Sequence, residues 1–313
     1  MPECWLIAAD WGTSALRVAL LDPTGAVIEQ RAGGPGALAL APGTHAAALT
    51  HFCTGWEGSG ARAFVIAGMA GSRQGWAEAP YADCPAGGAQ LADQALRVAG
   101  ETPFGLPAYL VPGVLNRGQG GDAAPDVMRG EETQILGALA ETDARGGLFV
   151  LPGTHSKWAR VDEGRILRFR TCMTGEFYAL LRRQSVLARM LPEVEPEPDA
   201  AAFARGVRVA AEEGSLLSSA FGARALALFG QMAADALPSY LSGLVIGEEL
   251  RAMRTSGWYA NDASPILVGE PALTRRYAEA FALNGMTARQ ASAGASWRGL
   301  AAIARRLPSL AAA

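Results

Sequence analysis

A strand–turn–strand pattern occurs twice in this chain of 313 residues, and it sets the strongest limit on the fold. The first copy, at residues 5–21, is an apolar run that ends on Asp10, a short turn of small polar residues, and a second apolar run. The second copy, at residues 148–170, has the same order about 140 residues later. Two copies of one unit predict a duplicated scaffold. We therefore expect two related domains, at residues 1–145 and 146–313, and the length of the chain allows both.

The turn in each copy has the composition of a phosphate-binding loop. Glycine lets the backbone approach a ligand closely, and the amide and hydroxyl groups of such a turn can donate to phosphate oxygens. The residues that we expect at phosphate are Gly12, Thr13 and Ser14 in the first copy and Gly153, Thr154 and His155 in the second. Asp10 provides a hard oxygen that could bind Mg²⁺ directly or through water. A solvent-facing hairpin is the alternative for one copy alone, and the recurrence of the unit favours the phosphate interpretation.

The only lysine of the sequence lies directly after the second turn. Of the 27 basic residues, 26 are arginine and the other is Lys157. An ammonium group retained at this place favours a contact with phosphate. The alternative is a strand residue whose aliphatic stem is buried while its charged end reaches solvent.

Composition argues against several classes of protein. Hydrophobic residues make up 50% of the chain and charged residues 18%, below the usual quarter, as expected of a compact globular protein. A net charge of −3 argues against a nucleic-acid partner. The four cysteines lack paired or metal-binding spacing, which favours reduced thiols in a cytoplasmic protein. The N-terminal apolar run is short and ends on Asp10, so we expect neither a signal peptide nor a membrane partner.

Predicted strands alternate with predicted helices, which indicates an α/β fold. The amphipathic and capping patterns predict helices at 44–56, 90–98, 129–141, 176–190, 201–213, 216–231, 240–255, 272–283 and 297–306. A buried strand at 63–67 leads into a glycine-rich loop at 68–76 that carries polar side chains. The segment 34–36 superficially opens a dinucleotide-binding fingerprint, but it lacks the third glycine.

Five motifs together resemble one known family. They are DWGTSALR at 10–17, GMAGSRQGWAEAPYADCPA at 68–86, DVMRGEETQILG at 126–137, LPGTHSKW at 151–158 and ILVGEPALTRRYAEA at 266–280. The chain resembles the 2-dehydro-3-deoxygalactonokinase family over nearly its whole length. This resemblance implies two duplicated actin-like ATPase (ribonuclease H-like) domains with an active-site cleft between them. It also implies phosphorylation of the 6-hydroxyl of 2-dehydro-3-deoxy-D-galactonate by ATP and Mg²⁺, in the breakdown of galactonate or galactose.

The same resemblance suggests an adenosine contact and a catalytic base. Gly269 corresponds to the point where the backbone approaches adenosine, although relatives often have two adjacent glycines and here Glu270 follows. In related sugar kinases the base is an acid just after a glycine at a helix start, and Glu131 has that position. This chain differs from those kinases by having glutamate rather than aspartate and by placing Glu132 next to it. The choice between Glu131 and Glu132 as the base therefore stays open. Both acids could simply favour the positive end of a helix.

Two arginines are candidates for the carboxylate of the substrate. A guanidinium group matches a carboxylate with two parallel hydrogen bonds, and both Arg73 and Arg129 lie in family motifs. Gln74 and Glu78 in the glycine-rich loop region are further candidates for substrate contacts. Either arginine could instead pair with a local acid, such as Glu78 or Glu132.

The same residues are compatible with other functions. The nearest alternative is a kinase for another small sugar or sugar acid, or a phosphohydrolase on the same scaffold. A non-catalytic regulator that binds a nucleotide or a sugar acid belongs to a different class. An oxidoreductase has little support, since its fingerprint is incomplete. The sequence leaves the oligomeric state open, and a homodimer is among the states that it allows.

Overall fold

The computed structural model describes residues 3–118, 124–141, 145–213, 215–260 and 264–311, and it confirms the α/β class. The strands of these residues are β1 (Leu6–Trp11), β2 (Ala15–Leu21), β3 (Val27–Pro35), β4 (Phe64–Gly68), β5 (Tyr81–Asp83), β6 (Ala86–Gly87), β7 (Leu96–Arg97), β8 (Ala108–Leu110), β9 (Gly113–Asn116), β10 (Asp126–Met128), β11 (Gly147–Leu151), β12 (Ser156–Asp162), β13 (Arg165–Cys172), β14 (Ile266–Leu267) and β15 (Arg289–Gln290). The helices are α1 (His45–Phe52), α2 (Gly88–Asp93), α3 (Glu131–Glu141), α4 (Thr174–Gln184), α5 (Ala200–Glu213), α6 (Leu216–Leu228), α7 (Leu237–Thr255), α8 (Pro271–Leu283), α9 (Ala295–Ala304) and α10 (Pro308–Ala311).

The predicted duplication appears in the order of the strands. The first sheet has the order β3-β2-β1-β4-β8-β7, in which the hairpin strands β1, β2 and β3 are antiparallel and β1, β4 and β8 are parallel. The third sheet has the order β15-β14-β11-β12-β13-β6. Its run β13-β12-β11-β14-β15 repeats the order β3-β2-β1-β4-β8, with β11, β14 and β15 parallel. A smaller sheet has the order β10-β9-β5.

The chain forms two compact units, which differ from the predicted division in two segments. Unit 1 comprises Met1–Gly147, Ala159–Phe169 and Ala291–Ala313, and unit 2 comprises Leu148–Trp158 and Arg170–Gln290. The first change of unit lies close to the predicted boundary after residue 145. The two later segments of unit 1 were expected in the C-terminal domain.

Contacts within unit 1 explain both differences. Strand β13 pairs with β6 through Arg165 and Ile166, and Asn116 Nδ2 donates to the Phe169 carbonyl at 2.8 Å. The C-terminal segment belongs to unit 1 because α9 packs against α3 with the two backbones in contact. A Cβ atom added at Gly137 would lie 1.8 Å from the Ala295 carbonyl oxygen, and one at Gly299 would lie 1.8 Å from that of Thr133. A domain boundary predicted from local sequence patterns could not include these pairings between distant segments.

Each unit has its own apolar core. The core of unit 1 is formed by alternate residues of β1, β2 and β4, which include Ile7, Trp11, Leu16, Val18, Phe64 and Ile66. In unit 2, strands β11 and β12 pack against α5, α7 and α8 through residues that include Val150, Trp158, Val207, Ile246 and Phe281. These cores hold the strand ends and helix starts on which the candidate site residues lie.

Three predicted helices extend well beyond the observed C-terminal ends. The helix expected at 44–56 stops at Phe52. The helix expected at 90–98 stops at Asp93, because residues 96 and 97 form strand β7 and pair with β8. The helix expected at 176–190 stops at Gln184, where the Ser185 side chain accepts from the Leu187 amide at 3.0 Å and caps a short 3₁₀ segment. In the part of the chain that the structure describes, no helix combines the length and apolar character needed to cross a bilayer.

Candidate active site

In unit 1, the ends of two strands and the start of one helix meet at one edge of the first sheet. Strands β1 and β4 run parallel, with Trp11 beside Gly68. Gly68 has φ +90°, and a Cβ atom there would lie 2.6 Å from the Trp11 carbonyl oxygen. A Cβ atom at Gly130, where φ is +107°, would lie 3.4 Å from Gly68 Cα. Glycine allows this backbone conformation and this close approach. The acidic start of α3 therefore lies against the end of β4.

Asp10 is the next-to-last residue of β1 and is held by two side chains of unit 1. Its Oδ2 atom accepts from Ser296 Oγ of α9 at 2.8 Å and pairs with Nη2 of Arg17, the residue opposite it on β2. Among the described residues, no hydrogen bond is made to Oδ1. The carboxylate is thus oriented on one side and retains one oxygen for a ligand.

The donor set around Asp10 fits the way in which proteins bind Mg²⁺ beside phosphates. Within the ranges that the structure describes, no group of three or more His, Cys, Asp and Glu side chains could enclose a metal ion. Magnesium in phosphate-transferring sites is commonly held by one or two carboxylates, with water and phosphate oxygens completing its shell. Asp10 provides one such carboxylate, with a hard oxygen available.

The first predicted phosphate turn is exposed, and its backbone is hydrogen-bonded to the segment that follows β3. Thr13 and Ser14 are exposed, and the Gly12 amide donates to the Ala15 carbonyl at 2.9 Å. Behind the turn, the Ala37 amide donates to the Gly12 carbonyl at 3.0 Å. The buried His45 ring contacts the Ala37 carbonyl oxygen through Nε2 at 2.9 Å. The turn is therefore held in place by a segment that follows β3.

The two acids at the start of α3 have different environments. Glu131 is half-buried, and its Oε2 accepts from the Arg129 amide at 3.0 Å. Glu132 is fully buried, and its two oxygens accept from the Gly130 amide at 2.9 and 2.7 Å. Burial, reinforced by the neighbouring Glu131 carboxylate, raises the pKa of Glu132 to about 8. At neutral pH Glu132 is thus largely protonated, whereas a base must be unprotonated and must reach its substrate.

Arg129 has an unusual environment for a positive charge. Its guanidinium lies over the Tyr81 ring, 4.3 Å from the ring centroid, and Nη2 donates to the Ala79 carbonyl at 2.9 Å. Its Nε and Nη1 atoms are buried, and among the described residues they have no hydrogen-bond partner. A Cβ atom at Gly71 would lie 2.9 Å from Nη1, so the glycine-rich loop lies directly against the charge. Buried polar groups are normally paired, so these nitrogens are candidates for an anionic ligand.

The other predicted substrate residues are on the surface of the glycine-rich loop region. Arg73, Gln74 and Glu78 are all exposed. Arg73 Nε lies 3.5 Å from Glu78 Oε1, so this arginine has the local acid partner that was the alternative to substrate binding. A surface pair of this kind contributes little to stability. The glycine-rich loop thus lies against the Arg129 guanidinium, whereas Arg73 on the loop itself is exposed to solvent.

In unit 2, the second predicted phosphate turn packs against the start of α4. Thr154 and His155 are exposed, and the Thr154 carbonyl accepts from the Glu176 amide at 3.0 Å. A Cβ atom at Gly175 would lie 2.5 Å from the Gly153 carbonyl oxygen, so a larger residue does not fit there. His155 Nε2 lies 2.5 Å from Glu176 Oε2. Glu176 lies in the first turn of α4 and is the carboxylate partner of His155.

The predicted adenosine contact lies next to the same turn. Gly269 has φ +144°, and a Cβ atom there would lie 3.5 Å from the Pro152 carbonyl oxygen. Glu270 follows as the cap of α8, because its Oε2 accepts from the Leu273 amide at 2.9 Å. Hydrogen bonds from the Ala272 and Leu273 amides hold the pKa of Glu270 below its usual range. The residue that replaces the second glycine of the relatives therefore has a capping role.

Lys157 is buried in β12, two residues after His155. Strand alternation places its side chain on the face opposite to those of Ser156 and Trp158. The alternative of a solvent-reaching lysine is wrong, since only 5% of this residue is exposed.

Sequence reasoning missed three residues of the unit 1 site. Arg17 could have been found from the hairpin, since register places it opposite Asp10. Ser296 is 286 positions from Asp10 in the chain, and Tyr81 contacts Arg129 only through the fold. No local pattern identifies these two.

Comparisons with known proteins agree with this architecture. The sequence model of a family described as 2-keto-3-deoxy-galactonokinase matches residues 10–303. The 2-dehydro-3-deoxygalactonokinase of Escherichia coli (strain K12) is 36% identical over 279 residues, which are 89% of this chain and 90% of that protein. A Sinorhizobium meliloti protein assigned as a 2-dehydro-3-deoxygalactonokinase has a crystal structure that matches with a TM-score of 0.84 and 32% identity, over 96% of this chain and 98% of that one.

A more distant structure supports the fold alone. The activator of the 2-hydroxyisocaproyl-CoA dehydratase from Clostridium difficile, solved with bound ADPNP, matches with a TM-score of 0.52 and 12% identity, over 95% of this chain and 92% of that one. The duplicated strand order is that of the two-domain actin-like ATPase fold. The family match and the Escherichia coli relative show that the chain is a carbohydrate kinase. The chain belongs to the 2-keto-3-deoxy-galactonokinase family, and the resemblance drawn from its motifs is confirmed.

Proposed function

We propose that this protein transfers the γ-phosphoryl group of ATP to the 6-hydroxyl of 2-dehydro-3-deoxy-D-galactonate, in the breakdown of galactonate or galactose. Family membership over residues 10–303 supports a kinase for this sugar acid. The observation that carries the acid part of the proposal is Arg129. Its buried guanidinium has two nitrogens without a partner among the described residues, and a carboxylate is the partner that a guanidinium favours.

The substrate carboxylate would bind at Arg129. An unpaired buried donor costs about 1–3 kcal/mol, so an anion that pairs with it recovers a substantial free energy. Nη1 lies against Gly71, and the glycine-rich loop must shift before a ligand can reach this nitrogen. Gln74 and Glu78 on that loop region are proposed contacts for the sugar hydroxyls. Arg73 is the less favoured candidate, because it is 85% exposed and pairs with Glu78.

Glu131 is the proposed catalytic base. It lies at the start of α3, which packs against the end of β4, and unlike Glu132 it is not fully buried. Phosphoryl transfer needs one group that accepts the proton of the attacking hydroxyl, while the rest of the site positions the reactants and neutralises charge. Glu132, protonated at neutral pH and bonded to the Gly130 amide, would fix the start of the helix.

Asp10 and the two turns would hold the phosphates. Asp10 would bind Mg²⁺ through the oxygen that Arg17 and Ser296 leave available. Bound Mg²⁺ neutralises charge on the phosphoryl oxygens. The phosphate contacts proposed in unit 1 are Gly12, Thr13 and Ser14, and those in unit 2 are Gly153, Thr154, His155 and Lys157. Gly269 would lie against adenosine.

The surroundings of the protein are also proposals. We expect it to act in the cytoplasm and to have no nucleic-acid or membrane partner, in agreement with its net charge of −3. A homodimer is supported by the exposed apolar side chains of Leu217, Phe221 and Leu228 on α6. Sedimentation velocity tests this state, and a monomer at every concentration would contradict it.

The substrate proposal is tested by a panel of acceptors. ADP release is measured with ATP and, separately, 2-dehydro-3-deoxygalactonate, its gluconate-derived epimer, and the neutral sugars galactose and glucose. We expect the highest kcat/KM for the galactonate-derived acid and little release with the neutral sugars, which have no carboxylate for Arg129. Equal or faster turnover of a neutral sugar would contradict the proposal. ATP consumption independent of any acceptor would instead indicate a phosphohydrolase.

A further inference from the structure

Unit 2 contains a buried carboxylate that none of the proposed steps uses. Glu249 lies in α7 and is 5% exposed. Its Oε1 accepts from Ser156 Oγ at 2.7 Å and from Trp158 Nε1 at 2.5 Å. Its Oε2 accepts from Thr174 Oγ1 at 2.5 Å and from Tyr277 Oη at 2.5 Å. Four side-chain donors thus fill the four acceptor positions of a carboxylate.

The four donors come from the segments that carry the proposed nucleotide contacts. Ser156 and Trp158 are in β12, which begins directly after the turn at 153–155. Thr174 is the first residue of α4, and the next residue, Gly175, packs against the backbone of that turn. Tyr277 is in α8, the helix that follows Gly269. One carboxylate therefore connects the second turn, the start of α4 and the helix on the adenosine side.

Burial destabilises the charged form of Glu249. Burial raises the pKa of Glu249, and the four hydrogen bonds oppose that rise. Burial and the nearby carboxylate also raise the pKa of Tyr277 well above its usual value, so its hydroxyl stays protonated as a donor. Replacing a buried charged network with apolar side chains of similar volume often leaves the stability of a core unchanged or increases it. A network with every member satisfied is instead suited to fixing one arrangement of its segments.

We propose that Glu249 is a positioning residue for the nucleotide site. It acts through Ser156, Thr174 and Tyr277, and it does not contact the nucleotide. It fixes the second phosphate turn relative to the starts of α4 and α8. This inference rests on the proposed nucleotide contacts of unit 2, and it requires nothing of the sugar-acid site in unit 1.

Two variants at this position separate hydrogen bonding from bulk. Glu249→Gln retains an oxygen for Ser156 and Trp158, and its NH₂ group can donate to the hydroxyls of Thr174 and Tyr277, which can also accept. Glu249→Leu keeps the bulk and removes every acceptor. The readouts are the dissociation constant for ADP by calorimetry, the KM values for ATP and for the sugar acid, and the melting temperature.

We expect Glu249→Leu to weaken ADP binding and raise the KM for ATP about tenfold or more, which corresponds to about 1.4 kcal/mol. The KM for the sugar acid should stay within about twofold, and Glu249→Gln should restore most of the ADP affinity. The inference is overturned if Glu249→Leu lowers only the melting temperature, or if both KM values rise together.

If Glu249→Leu does not fold, single hydroxyl deletions decide the question. Thr174→Val and Tyr277→Phe each remove one donor without a large change in volume. Each should raise the ADP dissociation constant. In the double variant the dissociation constant should rise by less than the product of the two single increases, because both donors act on one carboxylate. Independent effects, or no effect on ADP, would overturn the inference. ADP binding is measured without acceptor, so an error in the proposed sugar acid leaves this result unaffected.

Discussion

Glu131 and Glu132 are neighbours in sequence with different environments, since Glu131 is half-buried and Glu132 is fully buried, and we propose a different role for each. We predict that Glu131→Gln lowers kcat by about 10²–10⁴-fold, the usual contribution of a general base, while ADP still binds. Glu132→Gln should lower kcat far less, because this side chain is fully buried and largely protonated at neutral pH. Steady-state kinetics of both variants on the same substrate make the comparison. A larger loss for Glu132→Gln would transfer the role of base to Glu132.

The raised pKa of Glu132 also predicts how stability depends on pH. Between its ordinary value of 4.5 and about 8, the folded protein keeps a proton that the unfolded chain has lost. This group therefore lowers the free energy of unfolding as pH rises, by at most about 1.4 kcal/mol per pH unit. Glu132→Gln removes this contribution, so the variant should lose less stability than wild type between pH 5 and pH 8.

Urea unfolding at several pH values measures this difference. Glu249, whose pKa is also raised, contributes in the same direction in both proteins and cancels from the comparison. Identical pH profiles for wild type and Glu132→Gln would mean that Glu132 does not hold a proton in the folded state.

The two candidate arginines form a matched pair for the carboxylate contact. We predict that Arg129→Ala weakens binding of the keto acid by about 1.5–3 kcal/mol, the range for a hydrogen bond to a charged group. Arg73→Ala should have little effect, because Arg73 is exposed and pairs with Glu78. The KM for the acid and the KM for ATP are measured for both variants. The assignment fails if Arg73→Ala has the larger effect, or if Arg129→Ala raises both KM values equally.

Among the helices, the contact between α3 and α9 determines which unit holds the C-terminal segment. Gly137→Ala and Gly299→Ala should each lower the free energy of unfolding by about 1–3 kcal/mol or more, since each new Cβ atom would meet a carbonyl oxygen at 1.8 Å. Gly222→Ala in α6 is the control. Its Cβ atom would meet only Tyr240 Oη at 3.9 Å, so helix propensity should leave it neutral or stabilise it by up to about 1 kcal/mol.

Urea unfolding of the three glycine variants measures these changes. Equal stability of all three would mean that α3 and α9 are further apart than the backbone contact requires. If Gly137→Ala lost activity but kept its stability, the substitution would act on the position of the proposed base at the start of α3.

For the whole molecule, local patterns predicted the duplication and the strand-end loops, and they failed where distant segments meet. The turns at 12–14 and 153–155 could be predicted because glycine and hydroxyl residues follow apolar runs directly. The place of residues 291–313 in unit 1 could not, because it depends on Gly137 and Gly299 fitting together across the fold. The Glu249 network was missed for the same reason: its donors extend from residue 156 to residue 277.

The proposed reaction places a phosphoryl group on the 6-hydroxyl of a keto-deoxy sugar acid. The most direct measurement is ³¹P NMR of the product formed from ATP and 2-dehydro-3-deoxygalactonate, with the phosphorus coupling traced to its neighbouring protons. We expect a single phosphate monoester coupled to the two protons on C6, with one ADP formed for each ester. An ester on another carbon, or inorganic phosphate as the only new phosphorus species, would contradict it.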